Sequence, residues 1–375
     1  MSMIYLDNNR TTTLAPEAAE AMRKFTEEVL ASAPDDEVIR GAIEDARSAT
    51  ARALLVRTDE IVFTSGGTEA NCLAILGAVM ASSPRRRHVV MSRIEHESAT
   101  FCAAALEAEG AEISFVPSSP DGTISPVAVQ NAITPHTCLV SVQWANHETG
   151  VIQPIEEIAR VAHTAGALCH SDAAQAVGRI PCDPRESVDL ASLSAHKFHG
   201  PAGVGALWVR EKVPLSPAFF GIGGEGRRRP GTRNALGIVG MAAAIRAAGD
   251  ALFREMGRVR SLRVLMEQTL IDEVPGARIN GNPDLRLPNT SSLRFEGTDG
   301  RALADRLAQQ GIIAGGIPPA TEDKVVASRS LLAMGLTLPE VRASIRFSLS
   351  RFNTEDEVRR AVEAVKEAVL SQKQA

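Results

Sequence analysis

The sequence predicts an α/β protein: a large domain on a mostly parallel sheet with helices on both faces, followed by a smaller α+β unit. Three observations carry that reading. Short β-rich runs alternate with helical stretches between residues 60 and 209, and such alternation builds parallel βαβ units. After about residue 220 the composition shifts to a Gly- and Arg-rich loop and then a long run of helix formers. The length of 375 residues fits one large and one smaller domain at the usual ~100–200 residues each. The expected division is a large domain over 13–250, with 1–12 and 251–375 together forming the small one.

Each element follows from its local pattern. Residues 60–63 read as a strand and the Ala/Leu-rich run 69–81 as a helix. Strands follow at 88–91, 112–116, 138–143 and 167–170, with helices at 97–109, 126–133 and 155–164 between them. Two further strands lie at 189–192 and 205–209. Residues 221–231 are a loop, and 234–272 a long helix stopped by Pro275-Gly276. The remainder holds a helix near 300–310, a strand at 343–350 and a last helix over 354–370. Thr354-Glu-Asp-Glu357 is a capping-box pattern at its start.

Composition narrows the function. Apolar residues are 44% and charged residues 23%, ordinary for a soluble globular chain that buries its own core. A net charge of −5 speaks against a dedicated nucleic-acid binder and against a basic membrane-binding surface. No uninterrupted run of ~18 apolar residues is present, so no membrane span is expected. Met1-Ser-Met-Ile-Tyr-Leu-Asp7 has no basic or apolar leader region, and a cytoplasmic location is expected. The five cysteines, at 72, 102, 138, 169 and 182, are scattered without Cys-x-x-Cys spacing. Neither a disulfide framework nor a metal site is expected from them, and in a reducing compartment they read as small buried hydrophobes.

Five stretches carry chemistry, and all fall at the carboxyl ends of expected strands, where ligands of such sheets bind. Thr64-Ser-Gly-Gly-Thr-Glu69 offers free N–H groups, including that of Gly67, and the Thr68 hydroxyl to an anion. It reads equally as a Thr-capped turn. Ser194-Ala-His-Lys197 presents a lysine able to form a Schiff base to an aldehyde cofactor, or a surface lysine before the Gly200-Pro201 turn. His170-Ser-Asp172-Ala-Ala-Gln175 places a carboxylate that needs a cationic partner, such as a pyridinium nitrogen, or that caps the next helix. Glu95-His96-Glu97 and Trp144-Ala-Asn146-His-Glu-Thr-Gly150 complete the set. Together they amount to the parts of a pyridoxal-phosphate site.

The chain then resembles the cysteine desulfurases of the NifS/IscS kind, within the class V aminotransferases. The likeness runs through Tyr5-Leu-Asp-Asn-Asn-Arg-Thr-Thr12, Phe63-Thr-Ser-Gly-Gly-Thr-Glu69, Glu95-His96, Asn146-His-Glu-Thr-Gly150, Asp172-Ala-Ala-Gln175, Ser194-Ala-His-Lys197, Arg229-Pro-Gly-Thr232 and Ser344-Ile-Arg-Phe-Ser-Leu349. It implies the fold type I architecture of pyridoxal 5′-phosphate (PLP) enzymes, with a seven-stranded-type sheet. It also implies roles. Lys197 would hold the cofactor and move protons at Cα, Asp172 would pair with the ring nitrogen, and His96 would stack on the ring. Gln175 and Asn146 would contact the phenolic-oxygen side, Asn146 also reaching substrate. Gly67, Thr68, Ser194 and His196 would hold the phosphate, joined by Thr232 of a second copy in a homodimer. Arg346 would grip the substrate carboxylate as a fork.

One departure changes the chemistry expected. The family's nucleophilic cysteine would fall near Ile317 or Pro318, in Ile312-Ile-Ala-Gly-Gly-Ile-Pro-Pro-Ala-Thr321, which contains none. Ala31-Ser-Ala-Pro-Asp-Asp-Glu37 replaces the family's Gly-Asn-Pro-Ser-Ser-type stretch. Arg10 stands where alanine is usual, and His147 where Asn-Asn-Glu has its second asparagine. Arg10 and His147 serve a new substrate or reflect drift. A persulfide step needs a thiolate; β-elimination, transamination or racemisation at Cα of cysteine or a related amino acid does not. The alternative is a non-catalytic or partner-complemented paralogue working with a sulfur-acceptor or iron–sulfur assembly protein.

Overall fold

The computed structural model describes residues 3–31, 36–315 and 328–374. In chain order these form β1 (Ile4–Leu6), α1 (Pro16–Ala31), α2 (Asp36–Ala53), β2 (Ile61–Thr64), α3 (Gly67–Ala81), β3 (His88–Ser92), α4 (Glu97–Ala108) and β4 (Glu112–Val116). Next come α5 (Pro126–Ala132), β5 (Thr137–Ser141), α6 (Ile155–Thr164), β6 (Leu168–Asp172), β7 (Leu190–Ser194), β8 (Gly205–Val209) and α7 (Ala235–Glu273). The rest is β9 (Ala277–Ile279), β10 (Thr290–Phe295), α8 (Gly300–Gln309), β11 (Ile312–Ala314), α9 (Arg329–Ala333), α10 (Leu338–Arg342), β12 (Ser344–Ser348) and α11 (Glu355–Gln374).

The seven-stranded sheet has the order β2-β8-β7-β6-β5-β3-β4. Every pairing is parallel except the two made by β8, which runs against β2 and β7. All five residues of β3, β5, β7 and β8 are buried, as a parallel sheet covered on both faces requires. Alternate residues feed two cores: Val90 and Val140 face one, Val89, Met91 and Leu139 the other.

A third core joins Ile4 and Leu6 to residues of the C-terminal part. There β12-β10-β9 form an antiparallel sheet, and β1 pairs in parallel with β11. The expected capping box closes reciprocally: Thr354 N–H donates to Glu357 Oε2 at 3.1 Å, and Glu357 N–H to Thr354 Oγ1 at 3.3 Å.

Helix α7 has 39 residues and seats its first half, including Ile238, Met241 and Ile245, in the sheet core, its second half, including Val259, Met266 and Leu270, in the C-terminal core. By length and composition alone it could cross a membrane, which reading the sequence for unbroken apolar runs does not reveal; 56% of its most apolar window is buried within the protein.

Candidate active site

The carboxyl ends of the parallel strands open onto one cavity of about 860 Å³. Residues of the C-terminal part, including Ser292, Gly315 and Arg346, close its far side. The segment Gly316–Ala327, with Ile317 and Pro318, lies outside the described residues.

The turn after β2 brings α3 to the cavity. Gly66 has φ +153°, a conformation side chains rarely adopt. A Cβ at Gly205 of β8 would lie 2.8 Å from Gly66 Cα, so the two backbones touch there. This contact aims the first turn of the 15-residue α3 at the cavity, presenting unpaired N–H groups and the positive end of the helix dipole. Gly67, Thr68, Ser194 and His196 line that corner. The helix begins two residues earlier than the sequence suggests because Gly67 and Thr68 open its first turn behind the Gly66 N-cap.

Lys197 follows β7 on a short turn, Ala195–Lys197. Its Nζ donates to the carbonyls of Asn9, at 2.7 Å, and Arg10, at 2.6 Å. Burial, with Arg179 and Arg346 nearby, pushes its pKa down to about 7. His196 is pushed down to about 4 by burial and by Lys197 beside it.

Asp172 ends β6. Its Oδ1 accepts Ala174 N–H at 3.0 Å and its Oδ2 accepts Asn71 Nδ2 at 2.7 Å. Asp172 thus caps a turn, with no helix following it, and faces the cavity. It has no ion-pair partner among the described residues. Asn71 donates its other amide hydrogen to Ser98 Oγ at 2.9 Å, and Ser98 Oγ lies 2.8 Å from His96 Nδ1. His96 is thereby fixed as the N-cap of α4, one wall of the cavity.

Gln175 also lines the cavity, with its amide held by Asn9 O at 3.0 Å and by Arg179. Arg346 on β12 pairs with Asp7 Oδ1 at 2.5 Å and donates to His147 O at 3.0 Å, while its buried Nε has no partner.

Two expected residues stand elsewhere. Asn146 is not on the cavity wall. Its Oδ1 accepts the N–H groups of Glu148 and Thr149, at 2.9 and 2.8 Å, and its Nδ2 donates to Ile94 O and Ser330 Oγ. Its oxygen is spent on its own turn and its nitrogen on Ile94 and Ser330, and the neighbouring His147 takes the wall position. The His147 ring meets His96 edge-on, with centroids 5.4 Å apart. Burial and the surrounding positive groups hold it well below the usual histidine range. Thr232 is exposed and outside its own chain's cavity. Arg10, the other departure, lies on the wall.

Sequence reasoning gave no role to Asn9 or Glu95, which lie in stretches it singled out, and did not reach Asn71 or Arg179. Glu95 is buried; its Oε1 accepts from Ser92 Oγ and from Gln143 N–H at 2.8 Å, and its Oε2 has no partner. Burial, reinforced by Asp172, raises its pKa to about 8. The folded state therefore keeps a proton there that the unfolded chain releases above about pH 4.5, so this group lowers stability progressively from about pH 5 to pH 8. Glu95→Gln is expected to remove that loss: the difference in urea midpoint between variant and parent grows with pH across this window. A difference independent of pH would show Glu95 to be ionised when folded.

A lysine amine, a carboxylate lacking a cation and an anion-accepting helix end thus face one another across a space walled by an imidazole. The aldehyde, ring nitrogen and phosphate of PLP are what those groups fit, on a sheet of the kind found in fold type I PLP enzymes. The chain belongs to the aminotransferase class-V family, whose pattern matches residues 4–361, and the cofactor of that family is PLP. It is 42% identical to a cysteine desulfurase of Cereibacter sphaeroides, over 97% of this chain and 95% of that one. A solved NifS-like protein superposes with a TM-score of 0.91 at 33% identity, covering 98% of this chain and 99% of that one. A structure of SspA in complex with cysteine superposes with a TM-score of 0.80 at 29% identity, covering 94% and 100%.

Proposed function

We propose that this protein is a PLP-dependent enzyme that binds cysteine or a related amino acid and works by removing the Cα proton, with β-elimination in place of persulfide-forming desulfuration. One observation carries the choice of reaction: the chain holds no cysteine after Cys182. The loop that would bear the sulfur-accepting thiol has none, while the groups for Cα chemistry are all present.

When bound, PLP supplies an electron sink that acidifies the Cα–H of an attached amino acid. In this reading Lys197 tethers the cofactor and then carries the Cα proton, for which an amine titrating near neutrality is suited. Asp172 holds the ring nitrogen, His96 covers the ring face, and Gln175 borders the phenolic oxygen. Gly67, Thr68, Ser194 and His196 hold the phosphate, with Thr232 contributed by a second copy in a homodimer. Arg346 takes the substrate carboxylate through its unpartnered Nε and its fork. Asn146 acts by shaping the turn that places His147.

The test is a product assay with cysteine and added PLP. β-Elimination followed by hydrolysis consumes one cysteine and one water and gives equal amounts of pyruvate, ammonia and sulfide. Desulfuration gives alanine and a protein-bound persulfide. Pyruvate matching sulfide, with alanine a minor product, is the expected result; alanine with persulfide on the protein would overturn the reading.

A further inference from the structure

We propose that Cys72 and Cys102 form an oxidation site, a thiol pair between α3 and α4 that a small peroxide converts to a disulfide. Their Sγ atoms lie 3.0 Å apart, about one ångström beyond the ~2.05 Å of an S–S bond. The spacing of 30 residues in sequence gives no hint of this contact; the side-by-side packing of the two helices creates it. Cys72 is half-buried, whereas Cys102 is buried. Cys138 and Cys169 are buried, and no sulfur–sulfur contact is made by them or by Cys182 among the described residues.

The pair is chemically unequal. Cys102 donates its S–H to Cys72, which holds the Cys72 thiol below its ordinary pKa, while that bond and burial push Cys102 up. Cys72 is therefore the nucleophile and Cys102 the resolving partner. The Cys72 thiolate attacks one peroxide oxygen, the O–O bond breaks, and the departing hydroxide takes up a proton as water. Cys102 sulfur then attacks the resulting Cys72 sulfenic acid. The S–O bond breaks, and the second oxygen leaves as water with the Cys102 proton. Each sulfur loses one electron and each peroxide oxygen gains one.

The location gives the bond a consequence. Cys72 follows Asn71, and Cys102 lies one turn after Ser98 on α4. Asn71 and Ser98 are the links between Asp172 and His96. A disulfide here cross-links the two helices one residue beyond Asn71 on α3 and one turn beyond Ser98 on α4, next to the hydrogen bonds that hold two walls of the cavity. The thiol pair does not depend on the reaction proposed above.

The experiment treats the reduced full-length protein with hydrogen peroxide, blocks free thiols under denaturing conditions, and maps peptides without reductant. A Cys72–Cys102 cross-linked peptide, lighter by two hydrogens than its reduced halves, is expected, with Cys138, Cys169 and Cys182 recovered blocked. In Cys102→Ala the cross-link disappears and Cys72 is trapped as a sulfenic acid by a 1,3-dione. In Cys72→Ser neither product forms. If Cys102→Ala does not fold, the parent alone decides through a rise in Tm on oxidation that dithiothreitol reverses. Recovery of both cysteines as free thiols, or disulfides joining Cys72 to a second molecule, would overturn the proposal.

Discussion

Lys197→Ala is expected to yield a folded protein that carries no covalently tethered cofactor and has lost Cα chemistry by at least about 10²–10⁴-fold, the usual worth of a positioned acid–base group. The visible absorption of the tethered cofactor reports the first effect and deuterium exchange at substrate Cα the second. Retained absorption in the variant would refute the assignment. The same residue leaves a thermodynamic trace in the cofactor-free protein. Its folded pKa of about 7 lies below the ordinary lysine value of 10.5. The unfolded chain then binds the proton more tightly, so stability rises with pH between about 7 and 10 and is flat below. Against Lys197→Met, which keeps the stem volume, the parent should lose stability as pH falls from 10 to 7 and lose no more below that. A gap that stays constant across the window would mean that the ammonium is not penalised by its burial.

Arg346→Ala is expected to do two separable things. Loss of charge-assisted hydrogen bonds, worth about 1.5–3 kcal/mol, weakens amino-acid binding roughly 10- to 150-fold. Asp7 is buried and pairs with Arg346; left alone, it costs about 3–5 kcal/mol of stability. Adding Asp7→Asn should restore most of the lost stability and none of the lost affinity. Substrate titration of the holoprotein and chemical denaturation of both variants distinguish the two terms. Unchanged affinity in Arg346→Ala would remove this residue from the substrate site.

The seven-stranded sheet and the helices between its strands were legible because most of its strands are short, largely apolar runs separated by helical patterns and turns, whereas α1 and α2, which precede the sheet, were not read. The site was legible for a related reason: in this architecture chemistry gathers where strands end, so Lys197, Asp172 and His96 could be placed without coordinates. Asn146 shows the limit. Residues 146 and 147 are both polar, and only the turn decides which side chain is spent on backbone N–H groups and which reaches the cavity. Asn71, Arg179 and Asn9 gave no signal because the contacts that tie them to the site, Asn71 to Asp172, Arg179 to Asn9 and Asn9 to Lys197, span about 100 or more residues. The strands β1, β9 and β11 are three residues long, too short for alternation to register.

Helix α7 sets a mechanical condition on everything above. At about 1.5 Å per residue, a helix of this length is a strut of nearly 60 Å, clamped at one end under the sheet and at the other under the C-terminal part. Neither body can pivot on the other without flexing it. The span between the clamps contains Gly249 and Gly257, whose α-carbons face open space, and glycine is where a helix yields most cheaply. Widening the cleft by rotating whole bodies therefore works against a spring, whereas rearranging the loops at its rim does not.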